Sequence, residues 1–262
     1  MFLILRGIGE NEIMACSKNK RKAAPGPLEE GRANKITFTS NQLKIIAAAA
    51  MLLDHCVAVF VPYEAPAYMF LRMPGKITAP IMCFFIAEGY YHTSDLNKYM
   101  ARLLVMAIIS HVPFALCMDF NVVQFWRSTD VMFSLFWGLL ALRLYHQNMH
   151  VLFKSVLIAL CCLLAFPADW NFIAVLMVLF FGIFHEQRNK QAAVPAAAAG
   201  LYALQMGAAP LPVMLSGAGM LFSIPLLRRY NGLRGSKSKA VQWGFYWFYP
   251  VHLLIIYLIR QF

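Results

Sequence analysis

The stretch Leu43–Val61, with the sequence LKIIAAAAMLLDHCVAVFV, limits what this chain can fold into more than any other segment. About 20 apolar residues cross the ~30 Å hydrocarbon core of a bilayer as a helix, so this stretch is predicted to span a membrane. Yet Asp54 and His55 lie inside it. Helical rise places Asp54 roughly 16 Å from Leu43, near the middle of the membrane. A carboxylate there costs about 2.5–3.5 kcal/mol, so the pair indicates either a functional site or a polar contact between helices.

The rest of the chain is equally apolar, which predicts an all-α fold, a polytopic integral membrane helix bundle. Of the 262 residues, 60% are hydrophobic and only 13% are charged, which argues against a soluble enzyme with a single anchor. With eight further apolar stretches, residues 41–262 are predicted to form one domain of about nine (nine to ten) transmembrane helices. The further stretches are Lys76–His92, Lys98–Met118, Val131–Tyr145, Val151–Phe166, Trp170–Phe184, Ala192–Met206, Leu211–Leu227 and Val241–Ile259.

The first forty residues are different in character. The basic run Lys18–Lys22 and the segment Pro25–Pro27 show no apolar periodicity, so residues 1–40 are predicted to form a basic, disordered, cytosolic tail. No cleaved signal peptide is expected, and Met14 is an alternative start. The six cysteines form no CxxC motif, so we expect neither a disulfide framework nor a metal site.

The distribution of positive charge predicts the topology. With the N-terminus in the cytosol, only Arg72, Lys76, Arg127 and Arg260 of the 23 lysines and arginines fall on the outer side. All the others lie in the tail or in inner loops, as the positive-inside rule requires, and the C-terminus is then outside. The net charge of +11 is therefore mostly a topology signal, and nucleic-acid binding is not expected.

Ionisable residues recur inside other predicted spans. Glu88 lies roughly 18 Å from the outer end of the second span, with His92 one turn further on the same helix face. His111 in the third span and His252 in the last lie roughly 20 Å and 16 Å from their inner ends. Four helices thus bring ionisable groups to a similar depth, which favours one shared polar interior.

Two adjacent residues on a helix point about 100° apart, so Asp54 and His55 do not face each other. We expect Asp54 to orient a histidine from another helix, with His111 and His252 as the candidates. His55 is then free to face a cavity, where a neutral imidazole can take a proton from an attacking nucleophile.

Cations at two places could bind anionic groups. Arg72 and Lys76 flank the outer end of the second span, where they could clamp a carboxylate, stabilise an oxyanion or simply mark the interface. The loop Arg228–Lys239, RRYNGLRGSKSK, could hold phosphates through its cations and its exposed backbone N–H groups, or it could be positive-inside charge alone. The candidate phosphate-binding residues in this loop are Arg228, Arg229, Tyr230, Asn231 and Arg234.

Three separated motifs, in order, resemble the TraX family. They are NQLKIIAAAAMLLDH at Asn41–His55, LRMPGKITAPIMCFFIAEGYYHT at Leu71–Thr93, and YNGLRG with FYWFYPVHLLIIYLI inside Tyr230–Ile259. The resemblance covers nearly the whole chain from about residue 40. It implies a multi-pass protein of the bacterial cytoplasmic (inner) membrane, similar in fold to the transmembrane acyltransferase superfamily. The founding member of the family acetylates the N-terminus of a conjugative pilin.

The family's motif residues transfer to this chain position by position. They fall on Asp54 and His55, on Arg72 and Lys76, on Ala87, Glu88, Gly89 and His92, and on His252. At Lys76 the family usually has arginine; lysine keeps the charge but loses bidentate hydrogen bonding.

The resemblance implies an acetyltransferase that uses cytosolic acetyl-CoA as donor, with no metal. The acceptor is unknown: a protein N-terminus, a glycan or a small molecule with an amine or a hydroxyl. We expect His55 to be the general base, assisted by Asp54, Glu88, His111 and His252, with Arg72, Lys76 and His92 near the substrate or oxyanion. Two alternatives remain at this point: a proton-coupled transporter that uses the same residues as a relay, and an assembly factor without chemistry.

Overall fold

The structure is a computed structural model that describes residues 36–262, apart from residues 63, 66, 125–126, 208–210 and 237. Residues 37–262 form one compact unit. In the described part of the chain every regular element is helical, and the only β-type contacts are two isolated bridges. The fold class predicted from the sequence is thus confirmed as all-helical, while the predicted tail, up to residue 35, lies outside the described residues.

The described helices are numbered in chain order, with two 3₁₀ segments between them. They are α1 Ser40–Phe60, α2 Tyr68–Arg72, a 3₁₀ turn Pro74–Ile77, α3 Thr78–His92, α4 Leu96–Cys117, α5 Val131–Tyr145, α6 Val151–Leu164, α7 Asn171–Ile183, α8 Arg188–Gln205, α9 Leu211–Ser216, a 3₁₀ segment Gly217–Phe222, α10 Ser223–Arg228 and α11 Lys239–Arg260.

Each of the nine predicted spans corresponds to a helical stretch. The span predicted at Val131–Tyr145 coincides with α5 at both ends. The second stretch begins earlier than predicted, at Tyr68, because α2 and the following 3₁₀ turn continue almost without interruption into α3. Arg72 and Lys76 therefore lie within this helical stretch, and the prediction that they flank its outer end is wrong.

Among the described residues, three helical stretches are long and apolar enough to cross a membrane by themselves. They are Ser40–Phe60, Tyr68–His92 and Leu96–Cys117. Shorter apolar helices follow at Val131–Tyr145, Val151–Leu164, Asn171–Ile183 and Gly217–Arg228. A membrane bundle requires helices that are apolar around most of their surface and not only on one face.

Contacts between loops show that successive helical stretches alternate in direction. At one end, the mouth end, lie the start of α1, the end of α3 and the start of α4. There, Arg143 Nη1 at the end of α5 donates to Asn97 Oδ1 over 2.7 Å, and Phe38 before α1 forms a bridge with Tyr230 after α10.

The opposite end of the bundle, the far end, holds the remaining loops. Asp119 after α4 pairs with Arg260 at the end of α11. Asn171 Nδ2 at the start of α7 donates to Gln205 Oε1 at the end of α8 over 3.2 Å. The two chain termini of the helical unit thus lie at opposite ends.

Local signals at the mouth end fix the start of α1. Thr39 and Gln42 form a capping box, in which the Thr39 N–H donates to Gln42 Oε1 over 2.8 Å. The next free N–H groups of the helix donate to the loop after α10, from Ser40 to the Leu233 carbonyl over 2.9 Å and from Asn41 to the Arg234 carbonyl over 3.2 Å. The basic loop is therefore built against the first turn of α1.

The core of the bundle lies among α3, α5 and α7. Gly138 allows α5 to approach α7 closely, since an added Cβ would lie 2.9 Å from the Val178 side chain. Phe84 on α3 packs edge-on against Phe181 on α7, with ring centres 5.5 Å apart. This packing supports the helices α3 and α5, which contribute residues to the lining of the main cavity.

Candidate functional site

A cavity of about 520 Å³ runs along α1 from the mouth end into the bundle. Ser40 and Lys44 line it near the start of α1, and Asp54 and His55 line it further along the same helix. Helical rise from Ser40 to His55 is roughly 22 Å, so the cavity reaches deep into the bundle. Its deep part is walled by Tyr249 from α11 and by other residues of the far half. These are Gly75, Val131, Met132, Leu135, Asp169 and Trp170.

Two buried histidines meet at the deep end. His55 Nδ1 on α1 lies 2.7 Å from His252 Nε2 on α11, and the two rings stack with centres 5.0 Å apart. Both side chains are buried, and His55 lines the cavity. The prediction that His55 faces a cavity is confirmed. His252 lies at the same depth as His55, as its position in the last span predicted.

The hydrogen-bond chain through these rings determines where their protons lie. His252 Nδ1 is 2.7 Å from the Phe248 carbonyl, which can only accept, so His252 Nδ1 bears the proton. A neutral His252 then accepts at Nε2 from Nδ1–H of His55. By this assignment His55 Nε2 is left without a proton, as a base requires.

Asp54 is held by an arginine and not by a histidine. Arg72 Nε donates to Asp54 Oδ1 over 2.9 Å and Arg72 Nη2 donates to Oδ2 over 2.7 Å, so the pair is bidentate. Both carboxylate oxygens are thereby engaged, and the prediction that Asp54 orients His111 or His252 is wrong. Close approach at Gly75 makes the pair possible, because an added Cβ there would overlap the Asp54 side chain.

Lys76 is enclosed by aromatic rings. Its Nζ lies 5.0 Å from the ring centre of Trp170 and 5.2 Å from that of Tyr202, a cation–π arrangement. Neither Arg72 nor Lys76 is among the residues that line the cavity. The predicted anion clamp therefore does not face the cavity; instead the two cations balance the charge of Asp54 and its surroundings.

Glu88 and His92 form a second polar cluster at the mouth end. His92 Nδ1 lies 3.8 Å from Glu88 Oε2, so the predicted one-turn relationship is confirmed. His185, after α7, places Nε2 3.0 Å from Glu88 Oε1. Sequence reasoning missed His185, because nothing local to it shows that α7 ends beside α3.

Glu88 does not share the depth of Asp54. The Asp54 side chain packs against Gly75, and the rise from residue 75 to residue 88 along this helical stretch is roughly 20 Å. The prediction of a similar depth is wrong because α3 runs toward the mouth end and Glu88 lies one turn from its end. Both residues line the same cavity, but in different parts of it.

His111 lies apart from the histidine pair. Its Nε2 is 2.9 Å from the Val122 carbonyl, in the loop after α4, and its ring packs against Phe133. It is buried at a comparable depth but does not line the cavity. The structure therefore brings together Asp54, His55 and His252, and separates His111 from them.

The basic loop contributes to the cavity only in part. Arg234 and Tyr230 line the main cavity, Arg228 lines a smaller cavity beside it, and Arg229 lines neither of the two. Burial raises the pKa of Tyr230 to about 12, and the charge of Glu88 adds to the rise, so its hydroxyl stays protonated. Asn231 shapes the loop, since its Oδ1 accepts from the Leu233 N–H over 2.9 Å.

Two further cations at the mouth were missed as site residues. Lys44 on α1 and Arg102 on α4 line the main cavity together with Arg234. The Lys44 Nζ lies 5.0 Å from the ring centre of Phe85. In the sequence both residues count as inner-side charge, and only the helix packing shows that they face a common space.

Comparison with known proteins supports one family. The model of the TraX protein family matches residues 39–260. The chain is also 31% identical, over 239 residues, to a protein of Dichelobacter nodosus named probable fimbrial assembly protein FimC, serogroup H1. That alignment covers 87% of this chain and 98% of the relative. No solved structure matches.

Proposed function

This chain belongs to the TraX family, and from that membership and the cavity we propose that it is a membrane-embedded acetyltransferase. It transfers the acetyl group of acetyl-CoA to an amine or a hydroxyl. The observation that carries the proposal is the cavity itself, which joins a cationic mouth to a buried histidine with a basic nitrogen. A donor with a phosphorylated head and a long, narrow thioester arm fits such a shape.

The donor binds at the mouth. The phosphates of acetyl-CoA are anionic, and Lys44, Arg102 and Arg234 supply positive charge around the opening. Behind them the wall becomes aromatic and apolar, with Phe85, Met82 and others, which suits the uncharged arm. The thioester then lies near His55, about 16 Å along α1 from Lys44.

His55 removes the proton of the acceptor. The acceptor nitrogen or oxygen attacks the thioester carbonyl carbon, a C–N or C–O bond forms, and its proton moves to His55 Nε2. The C–S bond breaks, and the same proton passes to the thiolate, which leaves as coenzyme A. His252 fixes the ring of His55 through the 2.7 Å contact, as the third group of a triad fixes its base.

Asp54 supports the protonated state of His55. A carboxylate next to it in the chain favours the imidazolium that forms during transfer. The bidentate Arg72 keeps that carboxylate in place and limits its charge. Asp54 and Arg72 thus act on His55 and not on the donor.

We infer nine membrane crossings with the mouth end in the cytosol. The alternating helices and the lysines and arginines of the mouth-end loops support this orientation, and acetyl-CoA is a cytosolic metabolite. A reporter inserted near Ser236 should then read as cytosolic and one fused after Phe262 as external. Two readings on the same side would show that α11 does not cross the membrane and would contradict nine crossings.

The acceptor we propose is a surface protein subunit. The relative is named for fimbrial assembly, and the family resemblance implies acetylation of a pilin N-terminus. An N-terminal amine delivered through the membrane could reach the deep, far-end half of the cavity near Asp169. The chemistry at His55 is the same for an amine and for a hydroxyl.

The proton-relay alternative is less well supported. A relay needs ionisable groups within hydrogen-bond reach of one another, directly or through water. Glu88 lies roughly 20 Å along the helix from the level of Asp54, and His111 is bonded away from the cavity. These separations favour a site that is entered from the mouth over a relay that crosses the bundle.

The test uses purified protein in detergent with acetyl-labelled acetyl-CoA and a membrane extract from the same bacterium. The proposal predicts consumption of acetyl-CoA, release of free coenzyme A and a labelled acceptor in the extract. A transporter would require a sealed compartment and would leave acetyl-CoA intact in detergent. Acetyl-CoA consumption no higher than in a mock purification would contradict the proposal.

A further inference from the structure

We propose that Glu88, His92 and His185 form a binding site for one divalent transition-metal ion, with Zn²⁺ as the best-suited ion. Each residue offers one ligand atom, and these atoms all lie within 4.8 Å of one another. Two imidazoles and one carboxylate are a ligand set that zinc uses in proteins. The site lies at the mouth end, apart from the His55–His252 pair, and does not depend on acetyl transfer.

The fold holds two ligands on α3 and the third in the turn after α7. Glu88 and His92 are one turn apart on α3, the spacing that places two metal ligands on one helix face. His185 follows the end of α7, which packs along α3. Tyr91 ties the two together, because its hydroxyl donates to the Gly182 carbonyl over 2.8 Å and its ring lies against His185 with centres 4.0 Å apart.

Only a small movement would complete the ligand set. Ligand atoms at ~2.0–2.1 Å from a tetrahedral zinc lie roughly 3.4 Å apart. Glu88 Oε1 and His185 Nε2 are 3.0 Å apart, already near that spacing. His92 Nδ1 is 3.8 Å from the other Glu88 oxygen and is hydrogen-bonded to the Glu88 backbone carbonyl over 2.9 Å. Its side chain is 67% exposed, so the ring has room to rotate out of that backbone contact and toward the ion.

The surroundings select the kind of ion. Arg188 and Arg228 line the smaller cavity together with the three ligands and Glu186, so the two arginines offset the two carboxylates and a cation gains little from charge alone. Direct ligation by imidazole nitrogen favours zinc and related ions over Mg²⁺ and Ca²⁺, which prefer oxygen. Three protein ligands leave a fourth position for water or an anion. Glu88 and His92 line both cavities, so that position opens on the space the two share.

The test is a titration of the tag-free, chelator-treated protein with Zn²⁺ by isothermal titration calorimetry. We expect one ion per chain, with Mg²⁺ unable to compete. His185→Ala, His92→Ala and Glu88→Gln should each weaken Zn²⁺ binding at least about tenfold. Glu88→Gln keeps the size of the side chain and an oxygen that can face His185, so it guards against loss through misfolding.

The matched control is His150→Ala, which removes an exposed histidine that precedes α6 at the same end of the bundle. It should leave the zinc affinity unchanged. Co²⁺ provides a second readout, since its visible absorption reports tetrahedral nitrogen and oxygen ligation. The absence of a Zn²⁺ signal, or equal affinity in the wild type, His185→Ala and Glu88→Gln, would show that the cluster is an ion pair only.

Discussion

His55 on α1 and His252 on α11 share one hydrogen bond, with 2.7 Å between Nδ1 of the first and Nε2 of the second. Because His252 Nδ1 is in turn bonded to the Phe248 carbonyl, the proton of each ring is assigned to Nδ1. The nitrogen of His55 that remains basic is therefore set by a residue 197 positions away.

Replacement of His252 tests this relationship. His252→Phe removes the acceptor for His55 Nδ1–H and should lower acetyl transfer at least about tenfold, with acetyl-CoA affinity unchanged. His252→Gln places an amide oxygen near the same position and should retain more activity than His252→Phe. Turnover and donor affinity are measured separately. Equal activity in the two variants would mean that His252 only fills space.

The Asp54–Arg72 pair should contribute to stability. Hydrogen bonds to charged groups are worth about 1.5–3 kcal/mol, so Asp54→Asn and Arg72→Gln should each destabilise the protein by roughly that amount. The double variant should cost less than the sum, because the two residues bond each other. Unfolding in detergent, followed by circular dichroism, measures the three free energies.

The control for this pair is the more exposed contact between Arg260 and Asp119. Arg260→Gln should cost below about 1 kcal/mol, as exposed ion pairs do. Strict additivity of Asp54→Asn and Arg72→Gln would contradict the coupling.

Donor binding should depend on the cations that face the cavity and not on all cations of the basic loop. Lys44→Gln, Arg102→Gln and Arg234→Gln should each weaken acetyl-CoA binding by roughly tenfold or more, the value of one charged hydrogen bond. Arg229→Gln is the matched control, since it changes the same charge in the same loop but outside both cavities. Equal effects of Arg229→Gln and Arg234→Gln would contradict a specific donor site and would show that the loop attracts acetyl-CoA only through its overall positive charge.

Gly75 should tolerate no side chain. Gly75→Ala places a Cβ in the space of the Asp54 side chain, which must move away from Arg72 or shift the helix. We expect a loss of stability of about 1–3 kcal/mol, the usual cost of overpacking. Gly200→Ala on α8 has nothing within 4 Å of the new Cβ and should be neutral or stabilising by up to ~1 kcal/mol. Unfolding measurements that rank the two variants in the opposite order would contradict the close approach at Gly75.

Helix positions could be predicted from the sequence because they depend on local features. Apolar stretches of suitable length are visible without knowledge of the packing, and in the structure the side chains of Thr39, Asp95 and Asp130 cap three of the helices that form there. The depth of His252 followed from helical rise alone. These local features were sufficient to predict where most of the helices lie in the chain.

Side-chain partners could not be predicted, because they depend on how helices pack. Arg72 reaches Asp54 only because α2 extends the second stretch beyond its predicted start, a continuation that the charged LRMPGK sequence conceals. The predicted depth of Glu88 was also wrong, because the stretch begins at Tyr68 and Glu88 therefore lies near its mouth end and not at its middle. His185 and Arg102 face their sites only through the packing of α7 and α4, and no local pattern marks them.

The most direct test of the account is acetyl transfer by His55→Ala. Acetyl-CoA binding should remain close to that of the wild type, since His55 lies roughly 16 Å along α1 from Lys44 at the mouth. Unfolding in detergent checks that the variant is folded, because the loss of the buried contact with His252 should cost about 1–3 kcal/mol. Transfer of label from acetyl-CoA to the acceptor should fall by about 10²–10⁴-fold, the typical contribution of a general base. A folded His55→Ala protein that transfers acetyl at the wild-type rate would contradict the assignment of His55 as the base.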